Sequence, residues 1–562
     1  MRRREFLLGS LALSSLKASG TANAQSLPIS RHLPARVIDA HCHIFNADDV
    51  PIEGFMKRVV IPGNAELSGY FKDYPDAFVV MIHALSRLLK DDAYSTATEI
   101  GFLNRGGSAP SAAANSAREI SVIKILLDQI WDKSALRQLR WKKDAVAADL
   151  ALRQLQRLML LEVYSDFYCC GATQQDVDSI SRQDVAERIY RSNQTIGRNL
   201  RWALLFMRHR FELADELHRM HRERTVLVTP ALVDFSKWVE DEAHTPLHEQ
   251  VDVMERISRR GGPTRGAAAV HGFVAFDPLR QALHEKGSER GIAPLELVKL
   301  AIEKKGFIGV KLYPPMGFRP ANNAALGRAF PAHVLSQLGP NTGRILDEKM
   351  RALFAWCHEN NVPVMAHTAN SNAAGKDYGQ RANPVHWEPV LKEFPKLRVN
   401  LAHFGGFREV KQKRREEAWE WHIGKMWQKT PGAFLFADIS YFSEILGQKA
   451  KRQQAMNDLK SLKDSFHESG DSIIYGTDWA MIGREKGIAP IDLNAHRPYP
   501  ELVADYLSAA SFSDEQIEKI MFRNSVRFLG LGADQRASGT RGRLERFYQS
   551  AGLDAAWMSA FD

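Results

Sequence analysis

The chain has 562 residues, 44% of them hydrophobic and 25% charged, with a formal net charge of +9; it can bury a large core, which excludes a disordered or fibrous chain. Its basic residues are interleaved with acidic ones, as from Lys411 to Glu417, so they read as solvated faces and no nucleic-acid partner is expected. Only four cysteines occur, and Cys169 and Cys170 are adjacent, a placement that strains an ordinary disulfide, so no disulfide framework is implied.

At the N-terminus, Arg3-Arg4-Glu5-Phe6-Leu7 precedes an uncharged stretch from Leu8 to Leu16 and then Ala22-Asn23-Ala24. The paired arginines and the small residues of that triplet predict a twin-arginine signal over 1–24, with the export machinery as a partner and the periplasm as the destination. That route carries folded proteins and suits a metalloenzyme. No later run reaches the ~18 to 20 apolar residues of a spanning helix, so no integral membrane segment is expected once the signal is removed.

Val37-Ile38-Asp39-Ala40-His41-Cys42-His43 is the first of eight short apolar runs. Alternation along a strand sends His41 and His43 to one face and turns Cys42 away, where it packs as a small apolar residue. The next 175 or so residues, about 49–221, are too many for a simple strand-to-helix connection. Helical spacing of Leu, Ile, Val and Met over 120–164 and 185–210 predicts a helical insertion that forms a cap, with a flexible Gly/Ser/Ala loop from Gly101 to Ala114.

From Arg222 onward, short β-like runs alternate with helical patterns: Thr225 to Phe235, Gly272 to Pro278, Ile308 to Pro314, Val362 to His367, Leu397 to His403, Phe434 to Tyr441 and Ser472 to Asp478. This is the signature of parallel βα units, and eight of them predict an α/β fold, a (β/α)8 TIM barrel spanning 36–48 and 222–532. A closing helix runs through Asn524, and 533–562 form a tail containing a short helix. His271, at the start of the third strand, should face the barrel's bottom.

Polar residues collect where the runs end. At the C-terminal end of a barrel strand a side chain points into the mouth shared by all the strands, so distant positions converge. His41 and His43 close the first strand, His367 the fifth, His403 the sixth and Asp478 the eighth. Nitrogen and carboxylate donors of this kind suit a divalent metal, zinc above iron, manganese or cobalt, with an open position for water. A metal lowers the pKa of such water, and a carboxylate in Asp478's place can take its proton.

The motifs Asp39-Ala40-His41-Cys42-His43, Gly309-Val310-Lys311-Leu312-Tyr313-Pro314, Ala366-His367, Leu401-Ala402-His403-Phe404-Gly405-Gly406 and Tyr475-Gly476-Thr477-Asp478 resemble the amidohydrolase superfamily. Within it they resemble the amidohydrolase-related group that includes aminocarboxymuconate semialdehyde decarboxylase. The resemblance covers the barrel and not the insertion. It implies that His41, His43, His367 and Asp478 bind one metal and that His403 is catalytic as general base or acid. It also implies an alternative with a second metal, bridged by a carboxylated Lys311. Uncarboxylated, Lys311 could offer its ammonium to an anionic substrate or a developing oxyanion. Tyr313, Arg319 and Trp479, with Asn370, Arg381 and His386, lie in loops near the mouth and are candidates for substrate contact.

The expected function is metal-dependent hydrolysis of an amide, ester or lactone carbonyl in a small-molecule substrate, with Asp478 and His403 moving protons. Nonoxidative decarboxylation with the same ligands is the nearest rival. A periplasmic binding protein without turnover is the rival of another class.

Overall fold

A computed structural model describes residues 29–60, 75–132, 145–169, 181–406, 417–466 and 468–562. The proposed export signal and Cys170 lie outside the described residues. Parallel strands follow one another in chain order: β1 (Val37–Cys42), β2 (Thr225–Pro230), β3 in two pieces (Ala269–Val270 and Phe273–Ala275), β4 (Gly309–Leu312), β5 (Val364–Ala369), β6 (Val399–Gly405), β7 (Leu435–Asp438) and β8 (Ile473–Ile474). The break in β3 is bridged, because Ala231 just beyond β2 pairs with Phe273. The circle closes between β8 and β1, where Ala40 N donates to Tyr475 O at 3.1 Å and Asp478 N to His41 O at 2.8 Å. Gly476 permits this approach, since a Cβ there would lie 2.7 Å from the Cβ of His41. Closure of all eight strands makes the fold a TIM barrel with helices between the strands.

The strands are shorter than their apolar runs, because the run continues into the mouth loop after the hydrogen-bond ladder has ended. Inside the barrel, Ile38, Leu227, Phe273, Met365, Phe436 and Ile474 belong to one buried cluster. The register of β1 against β2 shifts between Asp39 and Cys42. This irregularity resets the alternation, so that His41 and His43 still turn toward the mouth although Ile38 and Ala40 belong to the cluster below them.

Between β1 and β2 the described residues are mainly helical, including Pro75–Asp92, Thr96–Asn104, Ala112–Trp131, Ala145–Cys169, Thr195–Leu204 and Arg210–Met220. The expected loop from Gly101 to Ala114 is confined to 105–111. Ser95 and Ser111 cap the helices on either side by accepting from Thr98 N and Ala114 N, which organises both flanks. No described helix is long and apolar enough to cross a membrane. Arg210 fastens these helices to the chain leaving β1: its guanidinium meets Asp49 at 2.7 Å and Glu99 at 2.8 Å, all three buried. Trp202 Nε1 donates to Ala480 O at 2.8 Å and Trp479 Nε1 to Leu213 O at 3.2 Å, tying the same layer to the loop after β8.

The opposite end of the barrel is plugged by the closing helix and the tail. Thr540–Ser550 and the turn Ala556–Phe561 supply Leu544, Phe547, Tyr548, Met558 and Phe561 to the interior cluster. His271 sits there as expected, with Nδ1 2.8 Å from Gly306 O and Nε2 3.1 Å from Tyr548 Oη.

Candidate metal centre

β1 brings up His41 and His43, and the turn after β8 brings up Asp478, held in the left-handed region at φ 57°. The Oδ1 of Asp478 is 3.2 Å from His43 Nε2 and 3.7 Å from His41 Nε2. These three residues form a buried group whose donor atoms lie within 4.8 Å of one another. The far ring nitrogens define the tautomers. His43 Nδ1 lies 2.8 Å from the carbonyl of Ala231, which can only accept, so the proton is on Nδ1 and Nε2 presents its lone pair. Nδ1 of His41 lies 3.0 Å from Asp438 Oδ2, which leaves the Nε2 lone pair turned to the mouth, where it accepts from Lys311 Nζ at 2.8 Å.

Asp438 is the principal site residue that sequence reasoning missed. It also accepts from Asn400 Nδ2 at 2.6 Å and from His403 N at 2.9 Å. Ser440 joins it, with Oγ 2.9 Å from both His41 Nδ1 and His403 Nδ1. The signal was present in the Phe434 to Tyr441 run, where Asp438 and Ser440 are the polar residues that end it.

His403 stands across the mouth, its ring centroid 4.9 Å from that of His41 and 4.6 Å from that of His367. It adopts φ 67°, a strained conformation for a residue with a Cβ. His367 is not part of the group formed by His41, His43 and Asp478; its Nε2 is 3.2 Å from Ser371 Oγ and its ring stacks on Tyr313 at 4.6 Å. Lys311 is buried, with Nζ 2.8 Å from His41 Nε2 and 3.3 Å from Met365 Sδ.

Burial dominates the electrostatics. It pushes His41 down to about 4, helped by the neighbouring Lys311 ammonium and opposed by Asp438. His367 and His403 are also lowered, chiefly by burial. Burial alone would raise the carboxyls of Asp478 and Asp438, but contacts with the surrounding imidazoles hold both below the ordinary range. Lys311 is brought down to about 8 by burial, against the pull of Asp478 and Asp438. Neutral imidazoles beside ionised carboxylates are the forms that coordinate cations.

The residues present fit a divalent cation. Asp478 Oδ1 is buried and accepts no well-aligned hydrogen bond, while the nearest ring nitrogen, His43 Nε2, offers it a lone pair instead of a proton. Two acceptors 3.2 Å apart in a low-dielectric site repel unless positive charge lies between them. The hydrogen bonds that Asp438 and Ala231 accept from the two imidazoles orient the rings as outer partners do at metal sites.

A cavity of about 340 Å³ opens over this group and is lined by His43, Lys311, Tyr313, His367, His403 and Asp478, among others. Lys311 and Tyr313 therefore lie where substrate contact was expected. Arg319 and Trp479 do not line it. The Trp479 side chain is fully buried and bonded to Leu213 O, so its bulk is spent on packing the insertion. The backbone of Arg319 is held by Asn323, whose Oδ1 accepts from its N–H at 2.7 Å. Asn370 and His386 are likewise absent from the lining, as is Arg381, whose guanidinium binds the carbonyls of Gly317 and Ala329.

Residues 240–531 match the amidohydrolase family, just over half of the chain. The chain belongs to the amidohydrolase family. Membership places it among enzymes of the metal-dependent hydrolase and decarboxylase type, which typically hold a divalent metal. The match spans β3 to β8 and the closing helix, so His41 and His43 lie before it. Among solved structures, an uncharacterised TIM-barrel protein from Bordetella bronchiseptica is similar at 16% identity, covering 60% of this chain and 82% of that one, with a TM-score of 0.31. No curated protein matches the chain.

Proposed function

We propose that this family member is a hydrolase acting on the carbonyl of an ester, lactone or amide, with one zinc ion held by the His41, His43 and Asp478 group and with His367 as a fourth ligand that exchanges its contact with Ser371 for the ion. The observation that carries the reading is the gathering of His43 Nε2 at 3.2 Å and His41 Nε2 at 3.7 Å around a buried carboxylate oxygen that accepts no hydrogen bond. The metal would supply Lewis acidity, polarising the carbonyl and acidifying water.

The protein's own groups divide the remaining work. Asp478, held ionised by its neighbours, is the proton acceptor in the first step. His403, neutral by burial and connected to Ser440, takes that proton from Asp478 and passes it to the leaving group as the bond to the carbonyl carbon breaks. Asp438 is a positioning residue that fixes the tautomer of His41. Lys311 directs its amine toward the same centre and stabilises developing negative charge on the carbonyl oxygen. The twin-arginine motif supports periplasmic placement as part of the same reading.

The test is metal analysis of purified protein followed by assays on esters, lactones, amides and aromatic acids in isotopically labelled water. Bound zinc, label incorporated into the acid product and loss of turnover on chelation are expected. Carbon dioxide release without label incorporation would establish the decarboxylase instead. Metal-free protein with no turnover would point to a binding role.

A further inference from the structure

The cavity above the metal centre has two unlike halves. Its floor is polar and belongs to the barrel. Its roof is apolar and comes largely from the insertion: Met81, Leu85 and Leu89 of helix Pro75–Asp92, Leu200 of helix Thr195–Leu204, and Phe206 just beyond it. These five side chains are each no more than 9% exposed, so the roof is an enclosed wall and not a surface patch. Phe45, Val50, Ile52 and Phe55, on the chain leaving β1, continue the same apolar lining downward toward His43. The Arg210 ion cluster and the Trp202 bond to Ala480 pin this roof over the centre.

Packing alone does not explain it. A helical cap needs its apolar faces buried against the barrel, whereas here several of them surround about 340 Å³ of space, within the range of small-molecule sites. Water gains little from such a lining, while an apolar group gains about fourfold in affinity per buried methylene. The Trp202 ring also faces the space while its N–H is already bonded elsewhere, so it offers an apolar face and no donor.

We infer that the substrate carries a long unbranched acyl chain, which lies under the insertion helices while its carbonyl reaches the His41, His43 and Asp478 group. The insertion is then the specificity element of the enzyme, and the barrel supplies only the reacting groups. This inference rests on the hydrolytic reading for the chemistry of the carbonyl, but not for the binding of the chain.

Two measurements on the full-length protein separate the two. The first is displacement of a fluorescent fatty-acid probe by free butyrate, hexanoate, octanoate and decanoate; the second is hydrolysis of the matching alkanoate esters. Affinity and kcat/KM should both rise, by about 250-fold from butyrate to octanoate if all four added methylenes are buried. Leu85→Trp and Met81→Trp, which fill the roof, should each lower the octanoate-to-butyrate ratio at least tenfold, with folding checked by circular dichroism. If affinity rises with chain length but no ester is cleaved, the acyl pocket stands and the hydrolytic reading falls. If short esters are cleaved and neither affinity nor rate rises with length, the acyl inference is overturned while the hydrolytic reading survives. The wild-type series decides the matter even if one variant fails to fold.

Discussion

The two ends of the barrel both bury histidine, and they use it in opposite ways. At the closed end His271 has both ring nitrogens satisfied, by Gly306 O and by Tyr548 Oη. His221, beside β8, is equally complete, with Leu217 O at 2.8 Å and Tyr475 Oη at 3.0 Å. At the open end His41 and His43 each have a carboxylate or carbonyl on Nδ1 and turn Nε2 toward Asp478, with Lys311 Nζ also on His41 Nε2. The imidazoles of the scaffold are hydrogen-bonded to neutral carbonyls and hydroxyls, whereas those at the mouth are gathered around charged side chains. The charge of the neighbours, and not the burial, tells the two ends apart.

The strongest way to break this contrast is to remove the plug. Deleting residues 540–562 takes away Leu544, Phe547, Tyr548, Met558 and Phe561, each worth ~1.5–3 kcal/mol when buried. The total of about 10 kcal/mol approaches the whole stability of a typical protein. Circular dichroism and thermal melting should show no cooperative fold; a folded, active truncation would refute the structural role of that end.

Asp478→Asn tests the open end. Turnover should fall about 10³-fold and metal content should drop, yet in metal-stripped protein the melting temperature should hold or rise relative to metal-stripped wild type, because a buried carboxylate left without its cation has been removed. A large loss of stability would place Asp478 in the scaffold.

His271→Phe should do the reverse, costing about 2 kcal/mol by stranding two buried polar groups and leaving kcat/KM intact. The pH dependence sharpens it. Burial lowers His271 from 6.5 to about 4, so the buried ring stays neutral while the unfolded one takes a proton. Its contribution is complete above pH 6.5 and is lost as pH falls toward 4, by about 3 kcal/mol in all. Denaturant titrations should show a shallower acid decline in the variant; equal slopes would contradict the assignment.

The smallest effect is expected for Asp438→Asn, which alters a partner of a ligand and not the ligand itself. Metal affinity measured by chelator competition should fall by about 10- to 100-fold with little change in melting temperature.

Parallel strands buried on both faces are nearly continuous apolar runs, which is why all eight could be read from the chain and why the residues ending them converge. Their boundaries were less legible, because apolar residues continue past the last ladder bond. Asp438 and Ser440 escaped notice because they bond to imidazoles instead of to the central group, a role with no spacing rule of its own. The register shift in β1 is also invisible in sequence, since Val37 to His43 reads as an ordinary alternating strand. Trp479 and Arg319 were misplaced because residues beside a mouth can as readily turn inward to pack as outward to bind. The roof was legible as a cap, but which of its faces would enclose space depended on how several helices meet.

Closure of the barrel rests on contacts such as that of Thr477 Oγ1 with Asp39 Oδ2, at 2.6 Å across 438 positions. During synthesis the two imidazoles leave the ribosome near the beginning and their carboxylate near the end. An ion arriving in the interval would find a pair of donors on a strand paired along one edge only, with β2; once the seam has joined, it would find three in a buried group. On the proposed reading, loading with metal is an event of the finished polypeptide, and a chain halted before residue 478 lacks the carboxylate that completes the group.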